Sequence, residues 1–243
     1  MFLAVKPDIV FHLSGRSGAA PDIDLVLPAY HSLATASVNV LLNATTIGCE
    51  RVILFASCNE PAASDPDCVP ASPYAAGKWV GTVYGRMFYK LYGTPVVTLR
   101  PFMTYGPGQA QDKLLPSVAA SLFRKRPPQL TSCKTRGDWI YIDDVIDACM
   151  AAIDVPGIEG QEFDIGTGRL TSQRVVVETL VEVSGEHIAP AFGALPDRPH
   201  EHEVAADTRP ANERLGWRAT TSLQIGLLST WHWYKDALAL VPL

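Results

Sequence analysis

Tyr74 and Lys78 stand four residues apart in the segment SPYAAGKW, residues 72–79. This segment is predicted to open a helix just after Pro73, and on a helix this spacing places both side chains on one face. A phenol has a pKa of about 10 in water, so it transfers protons poorly at neutral pH unless a nearby cation stabilises its anion. The small residues 75–77 would let a flat ligand approach the helix closely. The pair therefore predicts a proton-transferring tyrosine assisted by an ammonium group, and an ordinary pair on a helix surface is the alternative.

Ser57 ends an apolar run, residues 51–57, that predicts a buried strand. In a parallel sheet, ligands bind beyond the carboxyl ends of the strands, so this hydroxyl emerges where a substrate could be met. It can donate a hydrogen bond to a carbonyl oxygen and accept one from Tyr74. Taken alone, a serine that merely opens the loop 58–73 is the simpler interpretation.

The elements that must position these residues alternate along the chain. Strands are predicted at 7–13, 51–57, 94–101, 138–142 and 162–166, and helices at about 28–48, 74–92, 112–125, 143–154, 171–185 and 222–238. The first strands are nearly continuous apolar runs, which a sheet covered by helices on both faces requires. The pattern predicts an α/β fold with a parallel sheet. We expect the sheet layer in residues 1–110 and a smaller lobe in 111–243 whose segments interleave with it.

Composition excludes several classes of function. The chain has 243 residues, of which 47% are hydrophobic and 19% charged. At about 150 residues per domain, this predicts one large domain or a main domain with a small appendage. A net charge of -5 and the lack of a basic amphipathic helix argue against nucleic acid and a membrane surface as partners. No apolar run approaches the roughly 18 residues of a membrane span.

The N-terminal residues and the spacing of the cysteines predict the compartment of the protein. The first residues, MFLAVKPD, lack the basic flank and cleavage site of a signal peptide. Five scattered cysteines without CxxC spacing support neither disulfides nor zinc, so the cytoplasm is the expected compartment. His200 and His202 could be two metal ligands, but the sequence offers no third, so a solvated loop is predicted there. Asp143 and Asp144 predict the start of a helix. No metal is expected.

The order of several weak motifs resembles the extended short-chain dehydrogenase/reductase superfamily, and within it the NAD-dependent epimerase/dehydratase family that acts on nucleotide sugars. The similar segments are PDIVFHLSG (7–15), VNVLLNATTIGCERVILFAS (38–57), RPFMTYGPG (100–108), TRGDWIYIDDV (135–145), FDIGTG (163–168), Arg198 followed by Asp207, LGW (215–217) and Trp231. The resemblance covers almost the whole chain. It implies a Rossmann-like, doubly wound parallel sheet with a smaller C-terminal α/β substrate lobe.

The resemblance also implies a proton relay. Tyr74 would act as general acid and base for a sugar hydroxyl or ketone, and Ser57 would hold that oxygen. Lys78 would lower the pKa of the phenol and hold the nicotinamide ribose. Hydride transfer between the sugar and NAD or NADP would accompany the proton transfer.

Further positions follow from the same resemblance. Those implied for cofactor binding are Leu13, Ser14, Gly15 and Phe102, together with Tyr74 and Lys78. Those implied for the nucleotide-sugar substrate are Cys58, Asn59, Met103, Arg136 and Arg198.

The sequence departs from the family pattern before its first predicted strand. The family begins with a strand, a glycine-rich turn and a helix that bind the dinucleotide phosphates, and none of these precedes residue 7. At about 30 residues per βαβ unit, roughly 60 to 70 residues of the usual domain are missing. We therefore expect the strand at 7–13 to be an apolar edge, and NAD(P) binding by this chain alone to be weak or absent. Full activity would need an upstream segment or another chain; a truncated gene and a self-sufficient short protein are the two explanations.

Other departures concern the substrate. Met103 stands where the family commonly has asparagine, and Gly137 stands where a phosphate-binding arginine is usual, with Arg136 beside it. Cys58 and Asn59 replace the Asp–Glu pair of 4,6-dehydratases, which disfavours dehydration and favours epimerisation or ketone reduction. An alignment shifted by one residue would bring Glu60 into play.

The helix that carries Tyr74 has apolar residues on more than one face: Trp79, Val80, Val83 and Met87. Such a helix needs two partners, and in this family the second is the same helix of another subunit, so a homodimer is expected. A non-catalytic remnant that binds a sugar nucleotide or a partner is the alternative to an enzyme. A reductase of a non-sugar ketone is a third hypothesis.

Overall fold

The structure is a computed structural model that describes residues 2–18, 20–61, 69–197 and 203–240. It contains two compact units. The first comprises Met1–Pro101, Asp147–Ile165 and Thr208–Trp217, and the second comprises Phe102–Ile146, Gly166–Asp207 and Arg218–Leu243. The division falls after Pro101, where the sequence placed it near residue 110, and two later segments return to the first unit.

Helices alternate with single strands or with pairs of consecutive strands along the chain. The strands are β1 (Ile9–His12), β2 (Arg51–Phe55), β3 (Val96–Pro101), β4 (Met103–Tyr105), β5 (Gln129–Leu130), β6 (Arg136–Tyr141), β7 (Glu162–Ile165), β8 (Leu170–Ser172) and β9 (Ala191–Phe192). The α-helices are α1 (Phe2–Val5), α2 (Val26–Ala29), α3 (Ala36–Ile47), α4 (Pro73–Tyr92), α5 (Leu114–Phe123), α6 (Ile142–Asp154), α7 (Gln173–Ser184) and α8 (Leu223–Ala239). A 3₁₀ turn at Ile23–Leu25 and π-helical turns at Tyr30–Thr35 and Ala211–Leu215 complete the helical elements.

The first unit is built on a parallel sheet of four strands in the order β1-β2-β3-β7. Its central strands are buried along most of their length, which confirms the interpretation of continuous apolar runs as covered strands. Helices α3 and α4 pack on this sheet through Leu41, Ala44 and Phe88. The predicted α/β fold with a parallel sheet is confirmed.

Strand β1 forms one edge of that sheet. It pairs with β2, and no other strand of the described residues pairs with it. The side chain of Phe11 is 40% exposed there. An apolar groove of about 330 Å³ follows the strand and is lined by Phe2, Val5, Pro7, Ile9, Val10 and Phe11. The predicted apolar edge is therefore present.

The helical run Ile23–Ile47 differs from expectation. By length and composition it could cross a membrane, although core helices of soluble proteins and signal sequences have the same properties. The sequence predicted no apolar run of that length. Part of the run packs inside the first unit, where Leu33, Leu41 and Ala44 are buried.

The second unit has a mixed sheet in the order β4-β6-β8, in which β4 runs parallel and β8 antiparallel to β6. Its core contains aromatic side chains from β4, β6 and α8: Tyr105, Trp139, Tyr141, Trp231 and Tyr234. The run predicted as a strand at 138–142 thus lies in a second sheet. Burial of Trp231 and Tyr234 agrees with the expectation that the last helix packs on this lobe.

Asp138 anchors the loop after β7 within the second unit. Its carboxylate is fully buried and accepts hydrogen bonds from the amides of Thr167 (2.8 Å), Gly168 (2.8 Å) and Ala206 (3.0 Å) and from the Thr167 hydroxyl (2.6 Å). A buried carboxylate needs such donors because its desolvation is costly. The FDIGTG segment is therefore held by side-chain hydrogen bonds as well as by β7.

Candidate active site

Ser57 lies just beyond the carboxyl end of β2 and is 5% exposed. The amide of Ala56 still donates to the Leu99 carbonyl at 2.8 Å, so pairing with β3 holds the chain up to this point. The Ser57 hydroxyl accepts the amide of Asn59 at 3.2 Å. The Ser57 side chain also interacts with the Tyr74 phenol and lowers its pKa. The expected approach of Ser57 to Tyr74 is thus present in the structure.

Tyr74 stands in the first turn of α4. Ser72 caps this helix by accepting the amide of Ala75 at 3.2 Å, and Pro73 fits the first helical position because it has no amide to leave unpaired. The helix ends at Gly93, whose φ of 69° is a left-handed conformation that glycine adopts readily. The cap at Ser72 holds the first turn of the helix and thereby the backbone that carries the Tyr74 phenol.

Lys78 follows one turn after Tyr74 on α4. Its ammonium donates to the carbonyl of Phe55 at 2.8 Å, at the end of β2. This bond ties Lys78 to the last residue of the strand that precedes Ser57. The structure therefore brings Ser57, Tyr74 and Lys78 together within the first unit, as the sequence predicted.

The electrostatics of Tyr74 differ from the sequence-based expectation. Burial raises the pKa of the phenol above its ordinary value; the Ser57 hydrogen bond opposes this rise, and the charges of Cys58 and Glu60 add to it. Burial has the opposite effect on the ammonium group and lowers the pKa of Lys78, while the charge of Glu60 raises it. The lysine was expected to lower the phenol pKa, but in this structure desolvation of the phenol dominates.

Leu13, Ser14 and Gly15 form the turn that follows β1. Leu13 is exposed, and the Ser14 hydroxyl is hydrogen-bonded to Nδ1 of His12 at 3.2 Å. Gly15 has a φ of 141°, a conformation open mainly to glycine, and a Cβ there would lie 2.3 Å from Leu33. The turn proposed to meet the cofactor is therefore fixed by its neighbours within the first unit.

The small residues at 75–77 have a different role from the one expected. A Cβ on Gly77 would lie 2.9 Å from Cβ of Leu33, and Ala75 is fully buried. The space beside Gly77 is thus filled by Leu33 of the preceding helix. These residues allow close packing of two helices, where the sequence predicted room for a flat ligand.

His12 and Glu60 are site residues that the sequence left without a firm role. His12 ends β1, is 5% exposed, and bonds through Nε2 to the Ser37 hydroxyl at 2.9 Å. Burial, with a smaller effect from Lys78, lowers the pKa of His12 to about 4. A polar residue at the end of an apolar parallel strand was the available signal for it.

Cys58 and Asn59 follow Ser57 in the loop. Asn59 is exposed, and the Cys58 thiol is half-buried and contributes to the electrostatic field at Tyr74. Their assignment to the substrate stays a prediction from the resemblance. Within the described residues the cysteines are free thiols, and no group of three potential metal ligands occurs there.

Phe102 and Met103 belong to the second unit. Phe102 is buried, whereas the Met103 side chain is 38% exposed. A Cβ on Gly137 would lie 3.0 Å from Cγ of Met103 and 3.5 Å from Nε1 of Trp139. The two departures from the family pattern, at 103 and 137, are therefore in contact, and the methionine occupies the space beside the glycine.

Arg136 also lies in the second unit and is exposed. Its Nε and Nη2 donate to one oxygen of Glu203 at 2.8 and 2.7 Å, and its amide donates to the other at 2.9 Å. A substrate phosphate at Arg136 would compete with this carboxylate. Arg198, the other proposed phosphate ligand, and the pair His200 and His202 lie outside the described residues.

Comparisons with known proteins agree with this geometry. The chain is 29% identical over 254 residues to UDP-glucose 4-epimerase of Mycolicibacterium smegmatis, in a match that covers 95% of this chain and 77% of that protein. It is 27% identical over 175 residues to dTDP-glucose 4,6-dehydratase of Xanthomonas campestris, covering 68% of this chain and 50% of the relative. The chain thus spans between half and about three quarters of these curated relatives.

Solved structures give the same fold. UDP-glucose 4-epimerase of Thermotoga maritima, solved with UDP-glucose, superposes with a TM-score of 0.89 at 24% identity and covers 98% of this chain and 80% of its own. MoeE5, solved with UDP-glucuronic acid and NAD, gives a TM-score of 0.85 at 26% identity, with 95% and 80% covered. These likenesses confirm the Rossmann-type fold.

The family itself is shown by the sequence. Residues 1–166, which include both β1 with its turn and the Ser57, Tyr74 and Lys78 positions, match the NAD dependent epimerase/dehydratase family. The resemblance read from the order of the motifs is confirmed, because the match extends over most of the chain. The chain belongs to the NAD dependent epimerase/dehydratase family, a nucleotide-sugar branch of the extended short-chain dehydrogenases/reductases.

Proposed function

We propose that the chain is an NAD(P)-dependent epimerase or ketoreductase of a nucleotide-linked sugar. The observation that carries the proposal is that Lys78 donates to the Phe55 carbonyl at the end of β2, just before Ser57, and that Ser57 interacts with the Tyr74 phenol one helical turn away. Relatives named as UDP-sugar epimerases support the substrate class. Cys58 and Asn59, in place of two acidic residues, favour epimerisation or reduction over dehydration.

The proposed roles follow from the hydrogen bonds of these side chains. Tyr74 takes or gives the proton of the reacting sugar oxygen, and Ser57 donates a hydrogen bond to that oxygen. A raised phenol pKa makes Tyr74 a better proton acceptor once ionised and keeps it protonated at neutral pH. Lys78, held by Phe55, supplies positive charge beside the site.

The residues present fit one end of a dinucleotide better than the other. A phenol, an ammonium group and a hydroxyl at the end of β2 are suitable donors for a nicotinamide ribose. Before β1, the described residues contain only helix α1 (Phe2–Val5), so they provide no glycine-rich turn for the diphosphate. When bound, NAD(P) would accept a hydride from the sugar and return it. We therefore expect NAD(P) to bind this chain alone weakly or not at all.

Isothermal titration of this chain with NAD and NADP tests the cofactor part. Weak or undetectable heat is expected, and a dissociation constant in the micromolar range or tighter would contradict it. Phe102 for the cofactor, and Met103, Arg136 and Arg198 for the substrate, stay proposals that rest on the family resemblance.

The catalytic part is tested by Tyr74→Phe. With millimolar NAD and UDP-glucose or UDP-glucuronate, formation of the epimerised sugar is followed by chromatography. Removing the phenol proton is expected to slow it by about a hundredfold or more. The matched control is Tyr92→Phe, an exposed tyrosine at the far end of the same helix, which is expected to retain the rate. Full activity in the Tyr74 variant would overturn the roles given above, and substrate binding without turnover in the parent chain would favour a non-catalytic remnant.

We also propose that the chain forms a homodimer through the Tyr74 helix, in the cytoplasm. The outer face of α4 exposes Val83 and Tyr84, and neighbouring helices expose Val26 and Tyr30. A largely apolar cavity of about 530 Å³ lies beside this face, lined by residues including Tyr30, Ala76 and Val80. Exposed apolar surface of this kind favours association.

A further inference from the structure

Glu60 folds back onto Ser57. The amide of Ser57 donates to Oε1 of Glu60 at 2.8 Å, and the amide of Glu60 donates to the carbonyl of Ser57 at 3.0 Å. These two bonds close the turn 57–60, on which the Ser57 hydroxyl depends for its direction. The carboxyl group of Glu60 is thus directed inward, to the backbone beneath the candidate site.

The other oxygen of this carboxyl group is buried beside α4. Within the described residues, neither Oε2 of Glu60 nor Oγ1 of Thr82 has a hydrogen-bond partner of regular geometry, and Thr82 is 1% exposed. The Thr82 hydroxyl nevertheless acts on the Glu60 carboxyl group and opposes the rise in its pKa that burial causes. Two buried polar atoms without regular partners therefore belong to groups that interact with one another.

Thr82 connects Glu60 with the catalytic helix face. Tyr74, Lys78 and Thr82 are spaced at four-residue intervals, so their side chains follow one another along one face of α4. Glu60 reaches this face from the loop after β2. It also acts electrostatically on Tyr74 and on Lys78.

The charges around Glu60 come from several elements. Arg100 of β3 favours its ionised form and Glu162 of β7 disfavours it. Arg100 is shared between Glu162 and Asp164 at 2.8 Å each, and Arg86 of α4 pairs with Glu162. Because Arg100 and Arg86 already have carboxylate partners, these two cations compensate the charge of Glu60 only in part.

We propose that Glu60 is a positioning residue of the Ser57, Tyr74 and Lys78 site, which fixes the backbone of Ser57, contacts Thr82 on the catalytic face of α4, and places a negative charge beside Tyr74. This assignment rests on the proposed function for its consequence in catalysis. In this role Glu60 does not protonate a leaving hydroxyl group. Its carboxyl group accepts the Ser57 amide and is buried beside α4.

The test uses a fluorotyrosine placed at position 74 of the full chain, whose ionisation is followed by fluorine NMR as pH is raised. Fluorination makes the phenol more acidic, which brings its titration into a range where the chain remains folded. Glu60→Gln keeps an oxygen for the Ser57 amide and removes the charge. The phenol is then expected to ionise at lower pH than in the parent chain, because a negative charge that opposes the phenolate is gone.

The matched control is Glu178→Gln, which removes an exposed carboxylate of α7 and is expected to leave the titration unchanged. An unchanged titration in Glu60→Gln would overturn the proposal. The readout requires neither NAD nor a sugar, so an inactive chain that shows the shift disproves only the proposed function, and an active chain without the shift disproves only the role of Glu60.

A second measurement tests the contact with α4. Thr82→Val removes the hydroxyl at nearly constant volume, whereas Thr82→Ser keeps it. Thermal unfolding of the valine variant is expected at a lower temperature than that of the serine variant. A valine variant at least as stable as the serine variant would refute the contact, because burial of the extra methyl group favours valine otherwise.

Discussion

At the scale of single residues, the first unit places polar side chains at the carboxyl ends of parallel strands, where their burial changes their acidity. Tyr74 and Lys78 could be predicted from their four-residue spacing on one helix face, and Ser57 from its place at the end of an apolar run within the family resemblance. His12 and Glu60 were harder to predict, since their roles depend on Ser37, Thr82 and the Ser57 amide, which are brought close only by folding. The chemical types of these side chains follow from the sequence. Their burial, which changes their pKa values, depends on the fold and could not be predicted.

His12 predicts a specific acid sensitivity. Burial lowers the pKa of His12 from 6.5 to about 4. Between these two pH values the unfolded chain binds a proton at His12 that the folded chain does not bind. This destabilisation is absent above the unfolded pKa and grows as pH falls towards 4. Between pH 7 and 5 it amounts to about 2 kcal/mol of unfolding free energy.

Denaturant unfolding at pH 7 and pH 5 measures this contribution. His12→Gln, which can still hydrogen-bond Ser37, is expected to lose correspondingly less stability between the two pH values than the parent chain. His31→Gln, at an exposed position, serves as the control and is expected to behave like the parent. Equal losses in the His12 variant and the parent would show that His12 is protonated in the folded chain.

At the scale of elements, α4 is positioned by glycines at four-residue intervals. A Cβ on Gly77, Gly81 or Gly85 would meet Leu33, Ser37 or Leu54 at 2.9 Å in each case. These glycines let α4 approach the preceding helical run and β2 closely, which a larger residue would prevent. The distance between Tyr74 and the end of β2 depends on this approach.

Gly77→Ala tests the packing of α4. Its new methyl group would meet the rigid Cβ of Leu33, so we expect a loss of about 1 to 3 kcal/mol despite the better helix propensity of alanine. The matched variant Gly85→Ala meets the far end of the Leu54 side chain, and its other neighbours lie at 3.5 Å or more, so its stability is expected to stay within about 1 kcal/mol of the parent. Urea unfolding of both variants measures the difference, and equal stabilities would contradict the role given to Gly77.

The elements that could be predicted are those with strong local patterns. The long helices and the strands β1, β2, β3, β6 and β7 were expected, because apolar runs and capping residues mark them. The two-residue strands β5 and β9 are too short for any periodicity, and β4 follows β3 after a single residue, so both kinds were missed. The π-helical turn at Tyr30–Thr35 has no local signal either, since packing decides it.

At the scale of the whole molecule, the first unit exposes two apolar surfaces of different kinds. One is the edge and groove at β1, and the other is the outer face of α4. An open strand edge favours pairing with other strands, whereas an apolar helix face favours a defined interface. The two surfaces therefore predict two separable forms of self-association.

Single charges distinguish these two forms. Val83→Asp on α4 is expected to convert a dimer into monomers in sedimentation, because a charge at an apolar interface is costly. Phe11→Lys on β1 is expected to leave the dimer intact and to slow aggregation seen by light scattering, because charged residues protect edge strands. Monomeric parent chain at high concentration would contradict the dimer, and unchanged aggregation of the lysine variant would contradict the role of the edge.

The contact between Met103 and Gly137 has a consequence for how such a chain can change over evolutionary time. An arginine introduced at 137 would begin its side chain 3.0 Å from the methionine, so it would be penalised until position 103 also changed. We therefore expect the two positions to be coupled, so that their substitutions covary among homologues. If an ancestor of this chain carried arginine at position 137, a smaller residue at one of the two positions would have to appear first. Ancestral sequence reconstruction can test this order.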